Sequence, residues 1–120
     1  MGITNIGKAY TTLLIGGSIS TYPTNFIIGS GSGTFSASQT TLIGATDRQT
    51  VTSTDLSVPQ KVSWQGDWNS VEMSGLSLTE FGMIPSGAGL TGSIWSRTNL
   101  PAIIFDGTNE LRISETWEVY

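Results

Sequence analysis

The chain reads as mainly β, an antiparallel β-sandwich or small barrel with a short N-terminal helix or arm. Three observations carry this reading: short apolar runs separated by Gly, Ser and Thr, an alternating pattern with a period of two in several of those runs, and turn signals at regular intervals. At 120 residues the chain suits one domain, 1–120, with 1–17 as its arm or helix. A chain of this length hides roughly two-thirds of the surface that it exposes when unfolded.

Ile3, Ile6, Tyr10, Leu13 and Leu14 recur at intervals of three and four, Thr4 or Asn5 can cap, and Gly16-Gly17 can stop the turn. The pattern predicts a short helix. Gly7, Thr11 and Thr12 weaken it, and a strand from Tyr10 to Ile15 competes. Strands are expected at Asn25 to Ile28, at Thr40 to Ile43 after a polar stretch with room for one helical turn, and at 48–58. In Lys61 to Asn69 even positions are apolar or Gly and odd ones polar, so Trp64 and Trp68 should share a face. Leu76 and Leu78 open a strand that runs to Ile84, with Gly82 as a bulge or close approach, and a loop follows from Pro85 to Gly92. Ile94 to Thr98 and Ala102 to Phe105 are strand-like, Asp106-Gly107 is a hairpin signal, and Leu111, Ile113, Trp117 and Val119 alternate with polar residues. Six to eight strands result.

Composition narrows the function. The chain has no His and no Cys, so Cys-based zinc or redox sites and disulfides are excluded, and most tools of proton transfer and nucleophilic attack are missing. Its net charge is -4 and its five cations, Lys8, Arg48, Lys61, Arg97 and Arg112, are scattered, which argues against a nucleic-acid face. No apolar run approaches the ~20 residues that span a bilayer. The first residues lack the pattern of a secretory signal, and Ile6 breaks that of myristoylation, so neither export nor membrane contact is expected. Charged residues make up 12%, about half the usual share. A surface of Ser, Thr, Asn and Gln fits a protein packed against others, or a neutral secreted or surface β domain.

The motifs carry little chemistry. Gly29-Ser30-Gly31-Ser32-Gly33 follows a strand as a phosphate loop would, but the Lys-Ser or Lys-Thr of a P-loop and the G-x-G-x-x-G spacing are absent, and the glycines read as turn residues. Asp47, Asp55, Asp67, Glu72, Glu80, Asp106, Glu110, Glu115 and Glu118 fall mostly at turns or on polar strand phases; a glycosidase pair would need two of them ~5–9 Å apart. No calcium-loop pattern is present. No catalytic, cofactor or metal residue is assigned. Trp64, Trp68, Trp95 and Trp117 are core candidates first, interface anchors next and sugar platforms last.

Thr4-Asn5-Ile6-Gly7-Lys8, Ile27-Ile28-Gly29-Ser30-Gly31-Ser32-Gly33, Thr40-Thr41-Leu42 and Arg48, then Ser74 to Met83, Ser93 to Arg97, Leu100 to Ile103 and Glu110 to Ile113, together resemble a family of small tailed-bacteriophage virion proteins. In that family an acidic residue commonly precedes the Arg after Leu42; here Gly44-Ala45-Thr46-Asp47-Arg48 shifts it. The resemblance implies a structural role with no catalytic residues: a capsid decoration or cement protein that bridges major capsid subunits, or a tail, collar or baseplate adaptor or fibre-attachment protein. It implies other virion proteins as partners, the major capsid protein first, a homo-oligomer such as a trimer, and residence in a virion assembled in the host cytoplasm. A carbohydrate-binding β-sandwich module is the reading from another class. Candidate partner contacts are Ile3, Ile6, Tyr10, Leu13 and Leu14 in the N-terminal segment, Gly29, Gly31 and Gly33 in the glycine loop, and Pro85 and Leu90 in the loop that ends at Gly92. Removal of residues 2–15 is expected to abolish particle binding and leave the β core folded.

Overall fold

A computed structural model describes residues 2–17, 22–85 and 94–118. Among them eight strands and two helices follow in the order β1 (Gly2–Ile3), α1 (Asn5–Ile15), β2 (Pro23–Gly29), β3 (Ala45–Thr50), β4 (Ser53–Asp55), β5 (Lys61–Trp68), α2 (Ser70–Met73), β6 (Ser77–Pro85), β7 (Ser96–Ile104) and β8 (Leu111–Glu118). All pairings are antiparallel: β1-β7-β6-β2-β3 form a five-stranded sheet and β4-β5-β8 a three-stranded one. The two stack as a sandwich. No described helix is long and apolar enough to cross a membrane.

The main core lies between the sheets. Phe26, Ile28, Leu78 and Met83 from one sheet meet Trp64, Trp68 and Ile113 from the other, with Met73 and Phe105 filling the end. Gly66 occupies its even position for a steric reason, since a Cβ there would come within 2.5 Å of the Phe26 ring. Trp64 and Trp68 do share the buried face of β5. A second, smaller cluster of Ile27, Leu42, Ile84 and Ile94 occupies the opposite face of the five-stranded sheet, where the long connection 30–44 crosses it. Odd and even residues of β2 thus serve different cores, which is why the strand is buried almost throughout.

Four expected elements come out differently. Residues 40–43 form no strand, because Leu42 turns into the second cluster while the Ile43 and Gly44 N–H groups go to a side chain, and the polar stretch before them holds a single turn closed by Gln39 N–H on the carbonyl of Ser36. The single strand expected at 48–58 is two, β3 and β4, in different sheets. The chain changes sheet at Val51-Thr52, where Val51 N–H bonds the carbonyl of Thr24 and Thr52 N–H that of Gln65. Conversely, the two strands expected between Ile94 and Phe105 are one, β7, in which Pro101 is tolerated at a register shift opposite Leu78 and Glu80. Asp106-Gly107 makes a turn with Gly107 at φ +94°, yet it joins β7 and β8 across the sheets rather than as a hairpin. Phe105, sunk in the core and bonded through its backbone to Leu76 and Gly75, pulls the two strands apart.

The N-terminal segment is a helix, without the competing strand. Thr4 caps it by accepting from Gly7 N–H, and the same buried hydroxyl donates to the carbonyl of Ile94 at 2.6 Å. Gly7 lies flat on the backbone of Trp95, where a Cβ would stand 2.3 Å from the carbonyl oxygen. Gly82 is a close approach of the same kind, against the carbonyl of Ser96 at 2.1 Å. Residues 2–15 are therefore built into the fold through β1, the Thr4 bonds and Gly7. Their removal would strip an edge strand and uncover Trp95. A gentler change isolates the contact. Gly7→Ala gains about 1 kcal/mol of helix propensity, but the backbone collision costs about 1–3 kcal/mol, so urea denaturation should show a net loss of stability.

Candidate functional site

Two constellations stand out, one that builds the surface and one that offers it. The first centres on Glu80, which β6 places on the outer face of the five-stranded sheet beneath the connection 30–44. Its side chain is fully buried. One oxygen accepts from Ile43 N–H at 2.9 Å and Arg97 Nε at 3.0 Å, the other from Gly31 N–H at 2.9 Å and Gly44 N–H at 2.7 Å. Arg97 Nη1 and Asn99 Nδ2 both donate to the carbonyl of Gly33, and Thr79 Oγ1 donates to that of Gly31. Burial alone would raise the Glu80 pKa; the N–H groups of Gly44 and Ile43, the Arg97 guanidinium and the Gly31 N–H outweigh it and hold the carboxyl below its ordinary 4.5.

The candidate contacts in the glycine loop belong to this clamp. Gly29 is buried, and a Cβ on Gly31 would meet the Glu80 carboxylate at 2.4 Å, so both are small in order to admit the neighbouring chain. Gly33, exposed and at φ +144°, supplies the carbonyl that Arg97 and Asn99 hold.

The second constellation is an apolar groove of about 470 Å³ at the end of the sandwich where β2 and β5 begin and β8 finishes. Trp64, Trp95 and Trp117 form its floor, Thr11, Leu14 and Ile15 of α1 one wall, and Tyr22, Leu56, Val58 and Val62 the other. The floor is rigid: Tyr10 stacks on Trp95 at 5.6 Å, Trp95 on Trp117 at 6.4 Å, and Trp117 meets Trp64 edge-on at 5.1 Å. Its rim is exposed, Ile15 to 79% and Leu56 to 72%, with Tyr22 and Val58 more than half open. Lys61 is the one cation among the lining residues.

Behind the floor lies Glu115. Its Oε2 accepts from Ser96 Oγ at 2.9 Å and Trp117 Nε1 at 2.6 Å, while Oε1 has no hydrogen-bond partner among the described residues, and the same is true of Trp95 Nε1. Burial raises its pKa above 4.5, against the opposing pull of the two donors.

Of the contacts inferred from sequence, Leu14 lines this groove, Tyr10 supports it from behind, and Leu13 is exposed on the same helix. Ile6 is half-buried on α1, and Ile3, half-buried, pairs with Ser96 in β1. Pro85 ends β6 opposite Pro23, and Leu90 lies outside the described residues. Trp64, Trp68 and Trp95 are buried and Trp117 is half-buried, and all but Trp68 line the groove. Among the described residues no three carboxylates gather as metal ligands would.

Sequence reasoning passed over Ile15, Tyr22, Leu56 and Val58. Leu56-Ser57-Val58-Pro59 carried a signal, two large apolar side chains beside a turn proline where polar residues are the rule. No protein-family model matches the chain, and no curated protein matches it significantly.

The two buried glutamates titrate with opposite sign. The contribution of Glu80, whose folded pKa is depressed, is complete above pH 4.5 and is lost as pH falls through the folded value; Glu80→Gln should remove that acid limb from a stability profile and cost about 3–5 kcal/mol at neutral pH by stranding Arg97. Glu115, whose folded pKa is raised, penalises the fold increasingly as pH rises above 4.5. Glu115→Gln keeps an acceptor for Ser96 and Trp117, and should raise the melting temperature at neutral pH with the gain vanishing below pH 4.5.

Proposed function

We propose that the chain is a non-catalytic structural protein of a bacteriophage virion, a capsid decoration protein that docks on the major capsid protein through the groove between α1 and the sheet ends. The observation that carries the reading is the rim of Ile15, Tyr22, Leu56 and Val58, large apolar side chains exposed together around a preformed aromatic floor. Patches of this kind mark surfaces that are covered in use. The sparse charge agrees, since a protein held in an assembly has less need of ionic repulsion to stay apart from its neighbours. The buried Glu80 clamp also fits a part whose work is to hold shape: both its oxygens are fully engaged, which leaves that carboxylate no lone pair for substrate.

Many copies that each cover a standard interface of ~1,600 Å² reinforce a shell through number rather than through individual affinity. The virion placement comes from the family resemblance, and the docking mode from the groove.

Ile15→Asp and Leu56→Asp change side chains that already face solvent, so stability should move by no more than about 0.5 kcal/mol. Each should reduce co-sedimentation with capsids that lack the protein by roughly tenfold or more. Undiminished binding by both variants, with melting curves unchanged, would remove the groove from the interface. Densitometry of virions separates the shell from the tail: hundreds of copies support decoration, and a small multiple of three or six an adaptor.

A further inference from the structure

The outer edge of β8 is the longest regular strand edge that the fold leaves unpaired on the three-stranded sheet. β8 pairs with β5 from Lys61↔Glu118 to Trp68↔Leu111 without a register shift, and its other side has no strand partner among the described residues. It contains none of the proline or bulge devices that normally protect an edge. We propose that this edge is a self-association surface, on which two copies of the chain pair their β8 strands antiparallel about a two-fold axis at Glu115 and join two three-stranded sheets into one of six strands.

The charges select that partner and that register. Arg112, Ser114, Thr116 and Glu118 form the exposed face of β8. When an antiparallel strand meets its own copy, residues on one face oppose residues of the same face. With Glu115 on the axis, Arg112 stands opposite Glu118 of the second copy, and Ser114 opposite Thr116. A slip of two residues one way sets Glu110 against Glu118, and the other way leaves Arg112 without a carboxylate; only the central register matches every position.

The match continues into β5. Arg112 Nε already bonds Asp67 at 2.7 Å, and Lys61 lies 4.0 Å from Glu118. Each outer row of the joined sheet therefore reads Asp67, Arg112, Glu118, Lys61, alternating in sign across four strands. The inner rows are Gln65, Ser114, Thr116 and Ser63, all neutral hydrogen-bonding groups, with Ser63 and Thr116 bonded at 2.7 Å in each copy. On the opposite face Glu115 meets its copy. Its Oε2 is held by Ser96 and Trp117 of its own chain and its Oε1 is unpartnered among the described residues. The association is isologous and closes at two copies.

Sedimentation velocity of the full chain, without capsids and over a range of concentrations, tests this separately from the docking groove. Wild type should dimerise. Arg112→Glu makes both charged ends of the edge acidic and Glu118→Arg makes both basic, so each variant alone should dimerise roughly tenfold or more weakly. Their equimolar mixture should recover a one-to-one dimer, because both β8–β8 charge contacts across the axis again join opposite signs. With no native cysteine in the chain, Ser114→Cys mixed with Thr116→Cys should crosslink under oxidation far better than either alone. A monomer at all concentrations, a trimer, an oligomer indifferent to both charge variants, or a mixture that fails to recover would each overturn the proposal.

Discussion

The buried carboxylate of Glu80 holds the rest of the molecule in order. It gathers Gly31, Ile43 and Gly44 from the two ends of an irregular connection and binds Arg97 on the neighbouring strand. Pinned in this way, residues 30–44 cover Ile27, Ile84 and Ile94 with Leu42, and the carbonyl of Thr40 receives Ile94 N–H. Ile94 and Trp95 in turn hold Thr4 and seat α1, and α1 with Trp95 makes one side of the groove. A single ionised group thus connects the glycine loop, the second core and the exposed surface.

Magnitudes separate this pair from the others. The ion pairs Lys61–Glu118 and Arg112–Asp67 lie on the outside of the three-stranded sheet, where exposed pairs contribute about 0–1 kcal/mol. Glu80 and Arg97 are wholly out of water, so neither can lose its partner without leaving an uncompensated buried charge. Their net worth over an apolar pair of equal volume is small on general grounds, and the gain lies in specificity, since few other arrangements of this Gly-rich connection would satisfy four donors at once.

The β character, the helix at the N-terminus and the strands at 61–68, 77–85 and 111–118 were legible because each depends on local periodicity. Trp64, Gly66 and Trp68 show the two-residue period directly. What local pattern could not convey was sheet membership. Nothing in Asp106-Gly107 distinguishes a hairpin from a crossover, because the deciding residue is Phe105, whose burial depends on Leu76 and Gly75 thirty residues earlier. Residues 48–58 read as one strand for the same reason, since the change of sheet at Val51-Thr52 is set by Thr24 and Gln65. Of the site, Tyr10, Leu13 and Leu14 were found through helical spacing, and Gly29, Gly31 and Gly33 as special backbone positions. Their role under a distant carboxylate was beyond a local reading, as was the convergence of α1 with Leu56 and Val58.

The bonds of Thr4 to residues 94 and 95 span about ninety positions, three-quarters of the chain. On a ribosome, the first helix must wait until β7 has emerged before it finds its seat, and by then β2, β5 and β6 are already synthesised. Closing so long a loop makes acquisition of the native state slow, on the order of milliseconds to seconds for β topologies of this kind. The apolar face of α1 stays uncovered through that interval, so translation itself is the period of greatest exposure to chaperones and to premature association.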